Sequence, residues 1–156
     1  MKVESPLPAH IAYEAGFFDD IELIDWAVKY LPSSEYFEDN SYLLDLVSIN
    51  TKNNREVEKA GEYLSGFIAS QWPEFNIKGN KAEFYAKKYF HKRMKQYLNG
   101  ECRPYDVCKM ISPIEQLYDF PSWLGNMYDA CDWVEPTTQP SDCRHLEGEI
   151  EQTLKL

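Results

Sequence analysis

Lys81 to Asn99 reads K-A-E-F-Y-A-K-K-Y-F-H-K-R-M-K-Q-Y-L-N, and this stretch decides the fold class. Ala82, Tyr85, Ala86, Tyr89, Phe90, Met94, Tyr97 and Leu98 recur at intervals of three and four, which is one stripe of an amphipathic helix. The opposite face holds Lys87, Lys88, Lys92 and Lys95, with His91 and Arg93 nearby. Asn80 with Glu83 reads as a capping box, and Gly100 supplies the stop beyond the last turn.

The same logic extends toward the N-terminus. A long helix is expected from about Arg55 to Gln71, with Val57, Ala60, Gly61, Leu64, Phe67 and Ile68 on its inner face and Pro73 at its end. Gly61 and Gly66 weaken it by about 1 kcal/mol each on propensity, a cost that close helix–helix approach would explain. Before it lie a helix from about Ser41 to Ile49 and the T-K-N-N turn with an Asn cap. Asp19 and Glu22 form a capping box for a helix whose inner face is Ile21, Ile24, Val28 and Leu31, stopped by Pro32. Trp26 and Tyr30 flank that face, and Ala9 to Ala15 makes a first short helix closed by Gly16.

Toward the C-terminus, Pro104 and Pro113 suit first helical turns, and Ser112 with Glu115 suggests another cap. A short helix from about Ser122 to Trp133 follows. Then comes a terminal helix capped by Ser141, with Cys143, Leu146, Ile150 and Leu154 facing inward. No alternating β-branched run and no hairpin turn interrupts this pattern. The expectation is an all-α fold in a single domain over 1–156, with seven to eight helices in an orthogonal bundle or a stack of helical hairpins.

The 156 residues carry 16 Lys and Arg against 26 Asp and Glu, a net charge of −10. That balance disfavours nonspecific binding to nucleic acid or to an anionic membrane and suits a basic protein partner. Its distribution is uneven: residues 1–50 sum to −8, 51–100 to +5 and 101–156 to −7. The start, M-K-V-E-S-P-L-P, lacks the apolar core of a secretory signal, and no run is long enough to span a membrane. Cys102, Cys108, Cys131 and Cys143 are irregularly spaced with no C-x-x-C pair, so reduced thiols in a cytoplasmic protein are expected over a disulfide framework.

No catalytic signature stands out. Cys143 and His145 are two residues apart, which on a helix turns them about 200° from one another. His10 and His91 have no ligand-spaced neighbours, so neither a metal nor a cofactor is expected. Asp19 and Glu22 are accounted for by capping. The basic face of Lys81–Asn99 reads as a solvated helix face, since its aromatics fall mainly on the apolar stripe.

One segment combines aromatic and acidic residues more densely than any other, Tyr118 to Pro136: Y-D-F-P-S-W-L-G-N-M-Y-D-A-C-D-W-V-E-P. Trp123, Leu124, Met127 and Cys131 follow helical spacing and read as packing. Tyr128 and Trp133 are open to either packing or an interface edge, where such residues anchor well. In its size, its acidity and the run P-S-W-L-G-N-M-Y-D-A-C-D-W, the chain resembles the immunity proteins of contact-dependent growth inhibition and related polymorphic toxin systems. That resemblance implies a non-enzymatic inhibitor that binds a cognate toxin domain, often a basic nuclease with a ribonuclease favoured, and covers its active site. The acids and aromatics then expected at the partner surface are Asp20, Asp25, Glu35, Tyr36, Glu38 and Asp39, together with Tyr128, Asp129, Asp132, Trp133 and Glu135. A helical adaptor for another protein is the alternative, and a small carboxylate-based hydrolase a third.

Overall fold

The structure is a computed structural model that describes residues 5–38 and 40–156. Every regular element among them is helical, as the periodicity implies. The α-helical segments are α1 (Pro6–Glu14), α2 (Asp20–Tyr30), α3 (Ser41–Val47), α4 (Asn54–Val57), α5 (Ala60–Gln71), α6 (Asn80–Leu98), α7 (Pro104–Cys108), α8 (Ile111–Tyr118), α9 (Met127–Cys131) and α10 (His145–Thr153). Single 3-10 turns fill Leu31–Ser33, Ser122–Leu124 and Pro140–Asp142. α4, α7 and α9 have only four or five residues. Helices this short do not persist alone in water and are held by what they pack against. No helix among the described residues is long and apolar enough to cross a membrane.

Contacts group the chain into two compact units. One comprises Met1–Glu14 and Phe18–Asn76, the other Ala15–Phe17 and Ile77–Leu156.

In the first unit, α5 is the central element and packs on α1, α2 and α3. Because α1 and α3 are not its sequence neighbours, the arrangement within this unit is a bundle and not a run of consecutive hairpins. Its glycines explain the closeness: a Cβ at Gly61 would enter the Tyr13 ring of α1, and one at Gly66 the Tyr42 ring of α3. The capping box of Asp19 with Glu22 opens α2, and Asn40 and Asn53 cap α3 and α4 through their side-chain oxygens.

Two expectations are corrected here. The long helix from Arg55 is broken at Glu58 and Lys59 into α4 and α5, the second opening with no side-chain cap. The inner face of α2 is rotated. Leu23, Ile24, Trp26, Ala27 and the following Leu31 are buried, while Ile21 is 41% and Val28 53% exposed. Burying the large indole removes far more apolar area from water than burying Val28, so Trp26 sets the phase.

The second unit is built on α6, where Ala82, Ala86, Tyr89, Phe90, Met94 and Tyr97 of the expected stripe are buried and Tyr85 and Leu98 are half-buried at its border. Arg93 departs from the basic face and is buried too. Its guanidinium donates from Nη2 to the Phe17 carbonyl at 2.8 Å and lies 4.3 Å from the centre of the Phe17 ring. Phe17 also packs on Tyr89 with ring centroids 5.1 Å apart, so these residues pin Ala15–Phe17 to α6. Three caps differ from expectation. α6 opens on Gly79 without a side-chain cap, α8 on Met110 and α10 on Arg144. Glu83, freed from capping, accepts instead from the Trp123 indole at 3.0 Å.

Reduced thiols throughout are also corrected: Cys108 and Cys131 form a disulfide that ties α7 to α9 across a sequence separation of 23. Cys102 and Cys143 are free. The half-buried Cys108 meets the buried Cys131 because α7 and α9 pack together, with Val107, Met127 and Ala130 in the core, a proximity invisible in irregular cysteine spacing.

Candidate functional site

Within the second unit, the segment from Asp119 to Glu135 is anchored from beneath and open above. Trp123 and Leu124 are buried, the Trp123 ring packing on Phe90 as well as bonding Glu83. The Tyr118 hydroxyl donates to the Ile77 carbonyl at 2.8 Å, which fixes the end of α8. Gly125 adopts φ +55 and ψ −135, a region closed to residues with a Cβ. A Cβ there would also stand 2.9 Å from Thr153 Oγ1. These contacts and the disulfide hold α9 although it has only five residues.

On that base the outer side chains are aromatic. Asp119 and Phe120 are both left-handed, with φ of +52 and +53. Two consecutive residues other than glycine in this region, one of them bulky, cost of the order of 1–3 kcal/mol each and persist only where the surroundings impose them. The effect is to hold Phe120 outward at 66% exposure, edge-on to Tyr128 with centroids 6.3 Å apart. Tyr128 is 51% and Trp133 50% exposed. Trp133 lies against the His145 ring at 5.6 Å. His145 Nε2 donates to the Ala130 carbonyl at 3.1 Å, and since a carbonyl only accepts, this bond fixes the tautomer. Asp129, Asp132 and Glu135 are exposed among these rings. Arg103 bonds the Pro136 carbonyl at 3.2 Å and pairs with Asp106 at 3.3 Å, steadying the chain just after Glu135. Burial works against ionisation of Asp106, but the Arg103 backbone N–H and guanidinium outweigh it and hold that carboxyl below its ordinary range.

The other expected residues lie in the first unit and are employed differently. Asp20 is half-buried and accepts from the Tyr13 hydroxyl at 2.8 Å. Tyr36 is half-buried and edge-on to Phe67 and Trp72, at 5.8 and 5.5 Å. Asp25, Glu35 and Glu38 are exposed. Asp39 lies outside the described residues.

Comparison with family models, with curated proteins and with solved structures finds no match to this chain.

Cys143 is buried, donates to the Gln139 carbonyl at 3.4 Å, and burial pushes its thiol pKa up, away from a nucleophilic thiolate. Tyr97, next to it, is pushed up to about 12, by burial first and then by the Cys143 sulfur. No group of three or more His, Cys, Asp and Glu among the described residues is arranged to hold a metal ion.

Sequence reasoning passed over Phe120, and the signal was present: a large aromatic directly after a helix end and directly before a proline. It weighed His145 only as a partner of Cys143 and did not foresee its packing against Trp133.

Proposed function

We propose that the chain is an immunity protein that binds a cognate toxin domain, a basic nuclease with a ribonuclease favoured. It would do so through the edge formed by Phe120, Tyr128 and Trp133 with Asp129, Asp132 and Glu135. The observation that supports this reading is the exposure of three large aromatics, interleaved with acids, on a segment otherwise fixed in place. Rigid aromatic anchors lose little entropy on docking, and surrounding acids steer a basic partner toward them. A nuclease is positive where it holds nucleic acid, so an acidic cover both finds that surface and blocks it.

The test is co-expression with the C-terminal domain of an exported protein encoded beside this chain's own gene. Growth rescue by the wild type, and its loss in a folded Phe120→Ala/Tyr128→Ala/Trp133→Ala variant, is the expected result. Rescue undiminished by that variant would remove the edge from the account, and capture of a housekeeping complex in place of a toxin would favour the adaptor reading. A cytoplasmic location belongs to the same reading. Because disulfides are rare in reducing compartments, counting alkylated thiols on protein taken directly from cells bears on it. Two reactive cysteines would mean the Cys108–Cys131 bridge persists where the protein works, four that it is reduced there.

A further inference from the structure

The two halves of the aromatic edge are held in different ways. The first half is fixed by contacts that involve no sulfur: the Tyr118 hydroxyl on the Ile77 carbonyl, and the Trp123 ring on Phe90 with its indole N–H on Glu83. The second half is α9 and the turn after it. α9 has five residues, too few to persist unaided. Its last residue, Cys131, carries the bridge to Cys108, and the Cys131 carbonyl accepts from the Val134 N–H at 3.1 Å, closing the turn that contains Trp133. Tyr128 lies three residues before the bridge and Trp133 two after it.

Burial of Met127 and Ala130 and the His145 bond to the Ala130 carbonyl keep α9 within its unit when the bridge is open. The bridge does something these contacts do not, since a covalent tie across 23 residues removes the open conformations of the segment altogether. Cys108 is half-buried and Cys131 buried, so Cys108 is the member of the pair more open to an attacking thiolate.

We infer that the Cys108–Cys131 bridge is a redox-operated latch on the candidate partner edge. Closed, it presents Tyr128 and Trp133 rigidly; opened by a dithiol, it leaves them mobile while Phe120 keeps its place. The inference rests on the reading of the edge as a partner surface, and it adds the condition that regulates that surface. In the opening step a reductant thiolate attacks the Cys108 sulfur, the S–S bond breaks, and Cys131 leaves as a thiolate. The reductant's second thiolate then attacks the mixed disulfide, releasing Cys108 and closing the reductant's own disulfide. Two electrons pass to the protein, and its two cysteines take up the two protons that the dithiol gives up. A disulfide oxidant reverses the sequence, so a reducing compartment sets the weaker-binding form and an oxidant the tighter one. Anchors that must be ordered at the moment of docking bind less well than anchors ordered beforehand, by about tenfold for two large side chains and their backbone.

The test follows the indole N–H signals of Trp133 and Trp123 in the full chain, oxidised and after reduction by dithiothreitol. Thiol counts of two and four in denaturant confirm the two states. The expected result is that reduction shifts and broadens the Trp133 signal, leaves Trp123 in place, and is reversed by oxidised glutathione. Cys108→Ser/Cys131→Ser should match the reduced form with no reductant present, and Cys108→Ala/Cys131→Ala serves if the serine pair does not fold. The toxin domain encoded beside this chain's gene should bind the reduced chain about tenfold more weakly than the oxidised one. A Trp133 signal indifferent to reduction, equal changes at Trp133 and Trp123, or equal toxin affinity in the two forms would overturn the inference. The two readings fail separately. If the toxin needs Phe120, Tyr128 and Trp133 but binds both redox forms alike, the edge stands and the latch falls. If reduction frees Trp133 while no partner needs the edge, the latch stands as a conformational device and the partner reading falls.

Discussion

Residues 1–50 and 101–156 carry similar excesses of acid, −8 and −7, yet the two units in which they lie use their polar and aromatic side chains in opposite ways. In the first, Asp19 caps α2, Asp20 receives the Tyr13 hydroxyl, and Tyr36 is packed on Phe67 and Trp72. In the second, Asp129, Asp132 and Glu135 are exposed and Phe120, Tyr128 and Trp133 stand half out of the surface. The first unit also leaves apolar groups in water, Ile21 and Val28 on α2 and Tyr42 and Leu44 on α3, but its exposed ring, Tyr42, lies on a helix and has no acid-flanked aromatic neighbours in sequence. Acidity alone therefore does not mark a contact surface. What distinguishes the second unit is that its exposed aromatics are rigidly presented, by a left-handed turn at Asp119–Phe120, a glycine at position 125 and a disulfide.

The largest effect should come from the core on which the first unit depends. Phe67→Ala removes a fully buried ring and is expected to cost about 3–5 kcal/mol in denaturant unfolding. A loss under 1 kcal/mol would mean that α5 is not the centre of that unit. Next is the disulfide. Opening a loop with a separation of 23 by Cys108→Ser/Cys131→Ser should cost about 3 kcal/mol on the chain-entropy account. Amide exchange should then rise in α9 well before it rises in α5. Equal loosening of both would dissolve the distinction drawn between the units.

His10 supplies a pH-dependent contrast confined to the first unit. Burial lowers its pKa from 6.5 to about 4. The unfolded chain therefore takes up this proton near pH 6.5 and the folded chain only near pH 4. Between these values the unfolded state binds more protons, so stability falls as pH is lowered through that window, by up to about 3 kcal/mol. His10→Phe should flatten this part of the stability–pH curve, and a curve unchanged by the substitution would show that His10 is not the group responsible. Smaller still is the steering effect. Neutralising Asp129, Asp132 and Glu135 together should lower the association rate and its salt dependence. The same treatment of Asp25, Glu35 and Glu38 should do less, and the reverse order would move the contact surface to the first unit.

Much of this was legible in the sequence. The α6 stripe, the Asp19–Glu22 box, the Asn53 cap in the T-K-N-N turn and the burial of Trp123, Leu124 and Met127 all follow from periodicity and capping chemistry. What escaped were features that tertiary contact decides. Arg93 looks like part of a basic face until the Phe17 carbonyl, 76 residues away in sequence, comes within reach of its guanidinium. The phase of α2 depends on which of two apolar faces finds a partner. Cys108 and Cys131 are paired because their helices pack together, and Glu83 accepts from the Trp123 indole 40 residues away in place of the local cap its spacing suggests. Of the candidate edge, Tyr128 and Trp133 were visible as aromatics, but their exposure was not.

The aromatic, acidic edge of the second unit is the surface proposed to bind the partner. Calorimetric titration of the toxin domain encoded beside this chain's gene tests it most directly, against wild type, Phe120→Ala/Tyr128→Ala/Trp133→Ala and Asp20→Asn/Asp25→Asn/Glu38→Gln. The prediction is that the aromatic triple variant weakens binding at least a hundredfold, about 2.7 kcal/mol, while the acidic variant of the first unit stays within about tenfold of wild type. Binding retained by the first variant and lost by the second would contradict the account.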